Sequence, residues 1–488
     1  MLIDLAINTE RLKRTIQRCR DRNIIIPTFS QLKNPETVPD KVKAQLRQTG
    51  LWDVAPQNLF RITWKNEPTS KGGLFRPKPN YVELPPELTG VEARIIAVVG
   101  KWFPTGAHKV GASFGCLVPP LVTGQFDPTV HKAVWPSTGN FCRGGAYDAT
   151  LLGCESIAIL PEQMSPERFE WLRTVAGEII ATPGSESNVK EIYDKVWELK
   201  HSRKDIFVFN QFAEFGNYLF HYDVTGHAME EVIKNEMGGG RFRGVCFTTG
   251  SAGTIASGDY LKQVYPNSKI AAGEALQCPT LLLNGYGAHR IEGIGDKHVP
   301  WIHNVRNTDV VIGIDDNDTM NLLRLFNDPA GRNYLTHEIG VSEELVSNLD
   351  LLGISSIANV LMAIKFAKYY ELTRRDMVLT VFTDSMELYQ SRLREAREKQ
   401  GEYSEKYANR DFHRSLMAIK TDSMMELNYY DRKRIHHLKY FTWIEQQMFD
   451  VKDLNSQWYD YESYWSETQK LTPKIDQLIT QFNGQVGL

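Results

Sequence analysis

The chain has 488 residues, 42% hydrophobic and 24% charged, enough to bury a large core and to divide into two or three domains. Lys and Arg number 56 against 59 Asp and Glu, so the formal charge of −3 offers no field to gather nucleic acid or an anionic membrane surface. Six scattered cysteines (Cys19, Cys116, Cys142, Cys154, Cys246, Cys278) form no C-x-x-C pair and no zinc-spaced cluster. They argue for a reducing, cytoplasmic compartment and for no metal site.

No apolar run approaches the roughly 18 residues of a membrane span, and the start, MLIDLAINTERLKRTIQRCRDR, has acids inside it and no signal core. It reads as an amphipathic surface helix opening a helical and irregular extension over residues 1–75. From about residue 90 to 385, short β-branched runs alternate with helical patterns. The expected strands are Arg94 to Val99, Lys132 to Trp135, Ser156 to Leu160, Glu178 to Thr182, Ile206 to Asn210, Gly244 to Thr248, Lys269 to Ala272, Asp309 to Ile314 and Met377 to Phe382. Continuous rather than alternating apolar runs suit strands buried on both faces, hence an α/β fold with parallel sheets covered by helices. Ser165-Pro166 caps a helix over Glu167 to Ala176, and the 3.6-residue spacing predicts helices over Glu186 to Leu199 and Ser356 to Leu372. Residues 391–488 read as a charged, aromatic, mainly helical extension. Its Trp458 to Trp465 stretch could grip a partner or, more commonly for such residues, the chain's own surface.

Lys109 lies in the small-residue run Phe103-Pro104-Thr105-Gly106-Ala107-His108-Lys109-Val110-Gly111. Alone, such a lysine is a solvated turn residue; desolvated, its amine is a nucleophile that forms Schiff bases with carbonyl compounds such as pyridoxal phosphate. A second signal is Thr248-Thr249-Gly250-Ser251-Ala252-Gly253-Thr254-Ile255, between a strand and a helical segment. Small residues there let several backbone N–H groups face one anion, and the helix N-terminus adds roughly 0.3 to 1 kcal/mol. No G-x-x-x-x-G-K-[ST] occurs, so this is not a Walker-type site. Third, Pro136-Ser137-Thr138-Gly139-Asn140 follows a strand and leads into a helix near Arg143, with donors suited to clamping a carboxylate. Fourth, Gly353-Ile354-Ser355-Ser356 opens a helix and alone is an ordinary serine cap.

In this order the segments resemble the fold-type II pyridoxal-phosphate enzymes, most closely the cysteine synthase and cystathionine β-synthase branch. Ile159-Leu160-Pro161-Glu162-Gln163-Met164-Ser165-Pro166-Glu167-Arg168 is similar to that branch's "MPE-x-MS-x-ER", and Asn210-Gln211-Phe212 to its "QQF". His289-Arg290-Ile291-Glu292-Gly293-Ile294-Gly295 is similar to "HKIQGIG", and Thr383-Asp384-Ser385 to "PDS". The resemblance covers residues 75 to 390. It implies a two-domain catalytic core over residues 76–390 with a smaller subdomain at about 115–220, acting as a homodimer without nucleic acid or membrane partners.

The resemblance further implies that Lys109, with His108 beside it, holds pyridoxal 5'-phosphate as a Schiff base and serves as the Cα base. Gly250, Ser251, Ala252, Gly253 and Thr254 would bind its phosphate, Ser355 its ring nitrogen and Asn140 its 3′-oxygen. Ser137, Thr138 and Gln211 would take the substrate carboxylate, with Gly293 and Gly295 near the substrate. The implied reaction is β-replacement on a serine-type amino acid through an aminoacrylate. The alternatives are β-elimination of the dehydratase or ammonia-lyase type, and a scaffold of this fold whose C-terminal region binds protein. Two departures bear on this: Thr105-Gly106-Ala107-His108-Lys109 is closer to the T-G-A-H-K of tryptophan synthase β chains than to N-P-x-x-S-V-K-D-R, and Phe141 and Arg143 follow Asn140 where the synthases read S-G-N-T-G.

Overall fold

The computed structural model describes residues 3–68, 72–137, 139–184, 189–295 and 297–487. The apolar runs become strands of two sheets. In chain order the strands are β1 (Tyr81–Leu84), β2 (Arg94–Val99), β3 (Lys132–Pro136), β4 (Glu155–Pro161), β5 (Glu178–Thr182), β6 (Ile206–Val208), β7 (Arg241–Thr248), β8 (Lys269–Ala275), β9 (Val310–Ile314), β10 (Asp376–Phe382) and β11 (Met424–Glu426). The larger sheet has the order β1-β2-β10-β7-β8-β9-β11, and the smaller β5-β4-β3-β6. The smaller sheet is wholly parallel, as are the inner pairs of the larger one; only the edge strands β1 and β11 run antiparallel. Every residue of β9 and β10 is buried, which is why their sequences are continuously apolar instead of alternating.

The chain leaves the larger sheet after β2, builds the smaller sheet, and returns at β7. The helix Lys109–Val122 makes the outward crossing, apolar all round and buried almost throughout, as a core helix must be. Its position is set by close backbone contacts. A β-carbon on Gly115 would stand 2.3 Å from the carbonyl oxygen of Gly216, one on Gly216 2.1 Å from that of Gly115, and one on Gly144 2.8 Å from Cα of Val110. The helices Phe215–Leu219 and Asn140–Leu151 therefore touch the Lys109 helix backbone to backbone.

Helix boundaries differ from expectation by a few residues, as is usual where ends fray. The helix expected near Arg143 starts at Asn140, which puts Asn140 in its first turn; the others run Pro166–Leu172, Val189–Ser202 and Ile354–Tyr369. Part of the expected Glu186 start lies outside the described residues.

The segments flanking the core pack into it. From Gln390–Gln400 through Ile419 the chain contributes Leu393, Tyr403, Ala408, Phe412 and Leu416 to the hydrophobic cluster on one face of the larger sheet, and β11 then pairs with β9. The last helix, Thr472–Val486, buries Ile475, Ile479 and Phe482 in the main cluster beside Ile16, Cys19 and Phe29 of the N-terminal segment. Asn483 caps Ile26 by two hydrogen bonds of 3.0 and 2.8 Å, and Asp476 accepts from the backbone N–H of Phe29 (2.6 Å) and Ser30 (3.0 Å). The aromatic stretch is inward too: Trp465 packs on Phe215 and Tyr218, and Trp443 donates to Val299 O at 2.8 Å. Lys439 is fully buried and donates to Trp301 O (2.8 Å), His303 O (2.7 Å) and Gln457 Oε1 (2.7 Å), while burial pulls its pKa well below the ordinary lysine value.

Phe482→Ala is expected to cost about 3 to 5 kcal/mol in urea unfolding, the usual range for emptying a buried phenyl site. A chain ended near residue 390 is expected to be unfolded by circular dichroism rather than a working core without its tail.

Candidate active site

Lys109 lies between the two sheets, where the carboxyl ends of parallel strands converge. The Lys109 segment follows β2, Ser137 to Asn140 follow β3, the Gly250 to Thr254 loop follows β7, and Thr383-Asp384 follow β10. In open α/β sheets this edge is where loops gather around a ligand. Lys109, Ser137, Asn140, Phe141, Gln211, Phe212, Gly250, Ser251, Gly293, Ser355 and Thr383 line one cavity. The Lys109 amine donates to Ser251 Oγ at 2.9 Å and Gln211 Oε1 at 3.3 Å. Gln211 Nε2 donates in turn to Ser137 Oγ at 3.2 Å. Two turns leading into this cluster hold non-glycine residues in the left-handed region, Thr105 (φ 68°) and Ala252 (φ 62°). Such strain costs of order 1 to 3 kcal/mol and concentrates at functional sites.

The Gly250–Thr254 loop has the chemistry of an anion cradle. Among the described residues, no protein acceptor takes the backbone N–H of Gly250, Ser251, Ala252, Gly253 or Thr254, and the helix Ile255–Val264 begins immediately after them. Glycine is sterically required: a β-carbon at Gly250 would meet Gly293 O at 2.7 Å, and one at Gly253 would meet Asn217 Oδ1 at 2.3 Å. Asn217 is fully buried, donates to Ser251 Oγ (3.0 Å) and Gln211 O (3.0 Å), and its own Oδ1 has no donor. Together with the amine of Lys109, these residues fit a group carrying both a phosphate and an aldehyde, as pyridoxal phosphate does.

Ser355 lies in the first turn of the Ile354–Tyr369 helix, and Asn140 in that of its own helix. Asn140 Nδ2 donates to Asp384 Oδ2 at 2.5 Å, leaving its Oδ1 unpartnered. Asp384 is the site residue that spacing did not single out, although it stands in the Thr383-Asp384-Ser385 segment. It is fully buried, and desolvation raises its pKa against the hydrogen bonds from Tyr389 OH (2.6 Å) and Asn140 and the charge of Arg168. The network runs outward: Arg168 Nη2 donates to Tyr389 OH (2.9 Å), Arg168 pairs with Glu292 (2.8 Å), and Glu292 pairs with Arg392 (2.5 Å). Arg143, also fully buried, stacks over Trp171 (4.6 Å) and Trp52 (5.5 Å), and burial lowers its pKa to about 10.

Some expected site residues sit elsewhere. His108 is not in the cavity wall: its ring is packed against Trp64 and edge-on to His221 at 4.9 Å, with neither nitrogen hydrogen-bonded. Gly295 braces the cradle from behind, donating its N–H to Thr249 O at 2.8 Å. Thr138 lies outside the described residues.

Comparison with known proteins agrees with this architecture. The family described as "Pyridoxal-phosphate dependent enzyme" matches residues 104–331. A cysteine synthase of Staphylococcus aureus is 30% identical over 259 residues, 53% of this chain and 75% of that protein. Cysteine synthase B of Campylobacter jejuni is 29% identical, over 54% of this chain and 79% of its own length. The crystal structure of cysteine synthase from Entamoeba histolytica superposes with a TM-score of 0.55 at 21% identity, covering 69% of this chain and 93% of that one. The chain thus shares with it a fold, with further segments at either end.

Burial sets a pH dependence. His108 is held neutral, its pKa lowered to about 3 by desolvation and then by the Lys109 charge, and burial beside His108 and Lys109 lowers His221 well below the ordinary histidine value. The unfolded chain binds protons near pH 6.5 that the folded chain refuses, so this stability is complete above pH 6.5 and lost as pH falls towards 3. For His108 alone the expected loss by about pH 5 is about 2 kcal/mol, read from urea midpoints across a pH series. His108→Asn should flatten that slope.

Proposed function

Because the chain belongs to the family of pyridoxal-phosphate-dependent enzymes, we propose that Lys109 carries the cofactor and that the site performs β-replacement on a serine-type amino acid. One observation carries the reading: the Lys109 amine is 2.9 Å from the serine of a loop whose five successive N–H groups face no protein acceptor. The bound cofactor would supply an electron sink that acidifies the substrate's Cα–H. The chain's own residues do the rest.

The Gly250–Thr254 loop holds a phosphate by backbone N–H groups and the helix N-terminus. Ser137 and Gln211, joined to each other at 3.2 Å, present donors for the α-carboxylate, which fixes the Cα–H bond towards Lys109. Lys109, whose amine lies in the same cavity, would act as general base for that proton, a role worth about 10² to 10⁴ in rate. Ser355, a neutral hydroxyl in the cavity wall, would take the ring nitrogen and would not hold it fully protonated as an aspartate would. Asn140, tethered to Asp384, keeps its amide fixed for the 3′-oxygen. The rings of Phe141 and Phe212 line the cavity, an apolar wall that would favour transfer to a second nucleophile over release to solvent. The similarity of two cysteine synthases supports a thiol or sulfide as that nucleophile.

The test is spectroscopic and chemical. The wild type is expected to show a visible band on adding pyridoxal phosphate and to convert O-acetylserine and sulfide to cysteine. Lys109→Ala should lose the band and at least about 10² of the rate. A colourless wild type indifferent to the cofactor contradicts the proposal, and pyruvate forming at the same rate with or without sulfide selects elimination.

A further inference from the structure

A second cavity shares no residue with the one around Lys109. It measures about 480 Å³ and opens to solvent between the helix Asp316–Asn327, the helix Glu405–Phe412 and the π-helical turn His413–Met417. Three arginines reach it, Arg324, Arg410 and Arg414, beside Tyr403 and Tyr407, and among the described residues no carboxylate lines its wall. A cavity of this kind on a chain of net charge −3 is a local concentration of positive charge that overall composition does not reveal.

Arg324 is built into the protein, while Arg410 and Arg414 are exposed at the rim. Arg324 is buried, donates to Gln400 Oε1 (3.2 Å) and Gly401 O (2.9 Å), and lies over the Tyr403 ring at 4.8 Å. Arg410 lies over the Tyr407 ring at 4.9 Å. Their counter-ions stand behind the wall. Asp328 pairs with Arg324 at 3.2 Å and also with Arg397 at 2.7 Å, and Asp411 pairs with Arg410 at 2.7 Å while accepting from Tyr403 OH at 2.9 Å. Asp411 thus fixes Arg410 from the rear through Nε and Nη2 and leaves its Nη1 for the cavity, while Arg324, whose Nε, Nη1 and Nη2 each have an acceptor, contributes its charge. Arg414 forms no ion pair among the described residues; Asp318 lies in its field without pairing to it. Arg414 is presented by a π-helical turn, a distortion that occurs frequently at functional sites.

We propose that this cavity binds a polyanionic phosphate group, a phosphate ester or anhydride with at least two negative charges. Guanidinium forks match phosphate oxygens in pairs, and the forks of Arg410 and Arg414 beside the Arg324 charge exceed what a single carboxylate would recruit. The site is joined to the Lys109 cavity through one helix. The helix that carries Arg324 begins at Asp316, whose carboxylate accepts from the backbone N–H of Arg290 (2.9 Å) and pairs with its guanidinium (2.9 Å). Arg290 opens the segment that ends at Gly293, in the wall of the Lys109 cavity.

The experiment is calorimetric titration of the cofactor-loaded full chain with pyrophosphate, and in parallel with ATP, for the wild type, Arg414→Gln and Arg410→Gln/Arg414→Gln. The wild type is expected to bind saturably and more weakly as salt rises, with affinity reduced about tenfold in Arg414→Gln and further in the pair. Equal affinity for the two ligands indicates that the phosphates alone are read; tighter ATP binding indicates a nucleotide. Because Arg414 is exposed and unpaired, its single variant decides the matter even where the double variant is destabilised. No saturable binding of either ligand up to millimolar concentration, or binding unchanged in Arg414→Gln, overturns the proposal.

Discussion

Direct backbone contact around the helix Lys109–Val122 is the constraint from which the rest of the site follows. Gly115 and Gly216 approach so closely that a methyl group on either would lie within 2.3 Å of the other's carbonyl oxygen, and Gly144 closes on Val110 from a third helix. Side chains, which hop between rotamers, could not hold a lysine amine to within a hydrogen bond of two loops from different sheets. Backbone contacts have no such freedom. Lys109 therefore meets Ser251 from the larger sheet's side and Gln211 from the smaller's in one fixed geometry, as a preorganised site requires.

The terminal segments extend that rigidity. The last helix fastens the N-terminal segment through Asn483 and Asp476, while Lys439 and Trp443 hold the backbone between Val299 and His303. That stretch supports Phe212, whose carbonyl accepts from the N–H of Ile302 and whose ring meets His298 at 4.7 Å. The aromatic tail thus stiffens the wall of the cavity next to Gln211. A fully buried lysine with three oxygen acceptors and no acid is a costly device, and its place is consistent with that positional role.

Much of this was legible in the sequence, for stated reasons. Strands such as β2, β9 and β10 are buried on both faces, so their residues read as uninterrupted apolar runs. The edge strands β1 and β11 were not legible, because a four-residue and a three-residue strand with mixed polarity carry no periodic signal. Lys109, the Gly250–Thr254 loop, Asn140 and Ser355 each lie in a local motif and could be found one at a time. The Asp384–Tyr389–Arg168–Glu292–Arg392 network could not, since its members meet across separations of up to 221 residues. His108, which the resemblance placed with the cofactor-binding residues, adjoins Lys109 in sequence. The turn through Thr105 and Gly106 and the start of the helix instead direct its ring to Trp64 and His221. The composition of residues 391–488 marked a boundary but concealed the narrow apolar stripes that put Leu393, Phe412 and Phe482 into the core.

The central claim is that this glycine-locked lysine is the covalent anchor for pyridoxal phosphate. Borohydride reduction of the cofactor-loaded protein, followed by peptide mapping by mass spectrometry, tests it directly. One modified peptide is expected, with the added mass on Lys109. Modification at another lysine, or a protein that takes up no label, would contradict it.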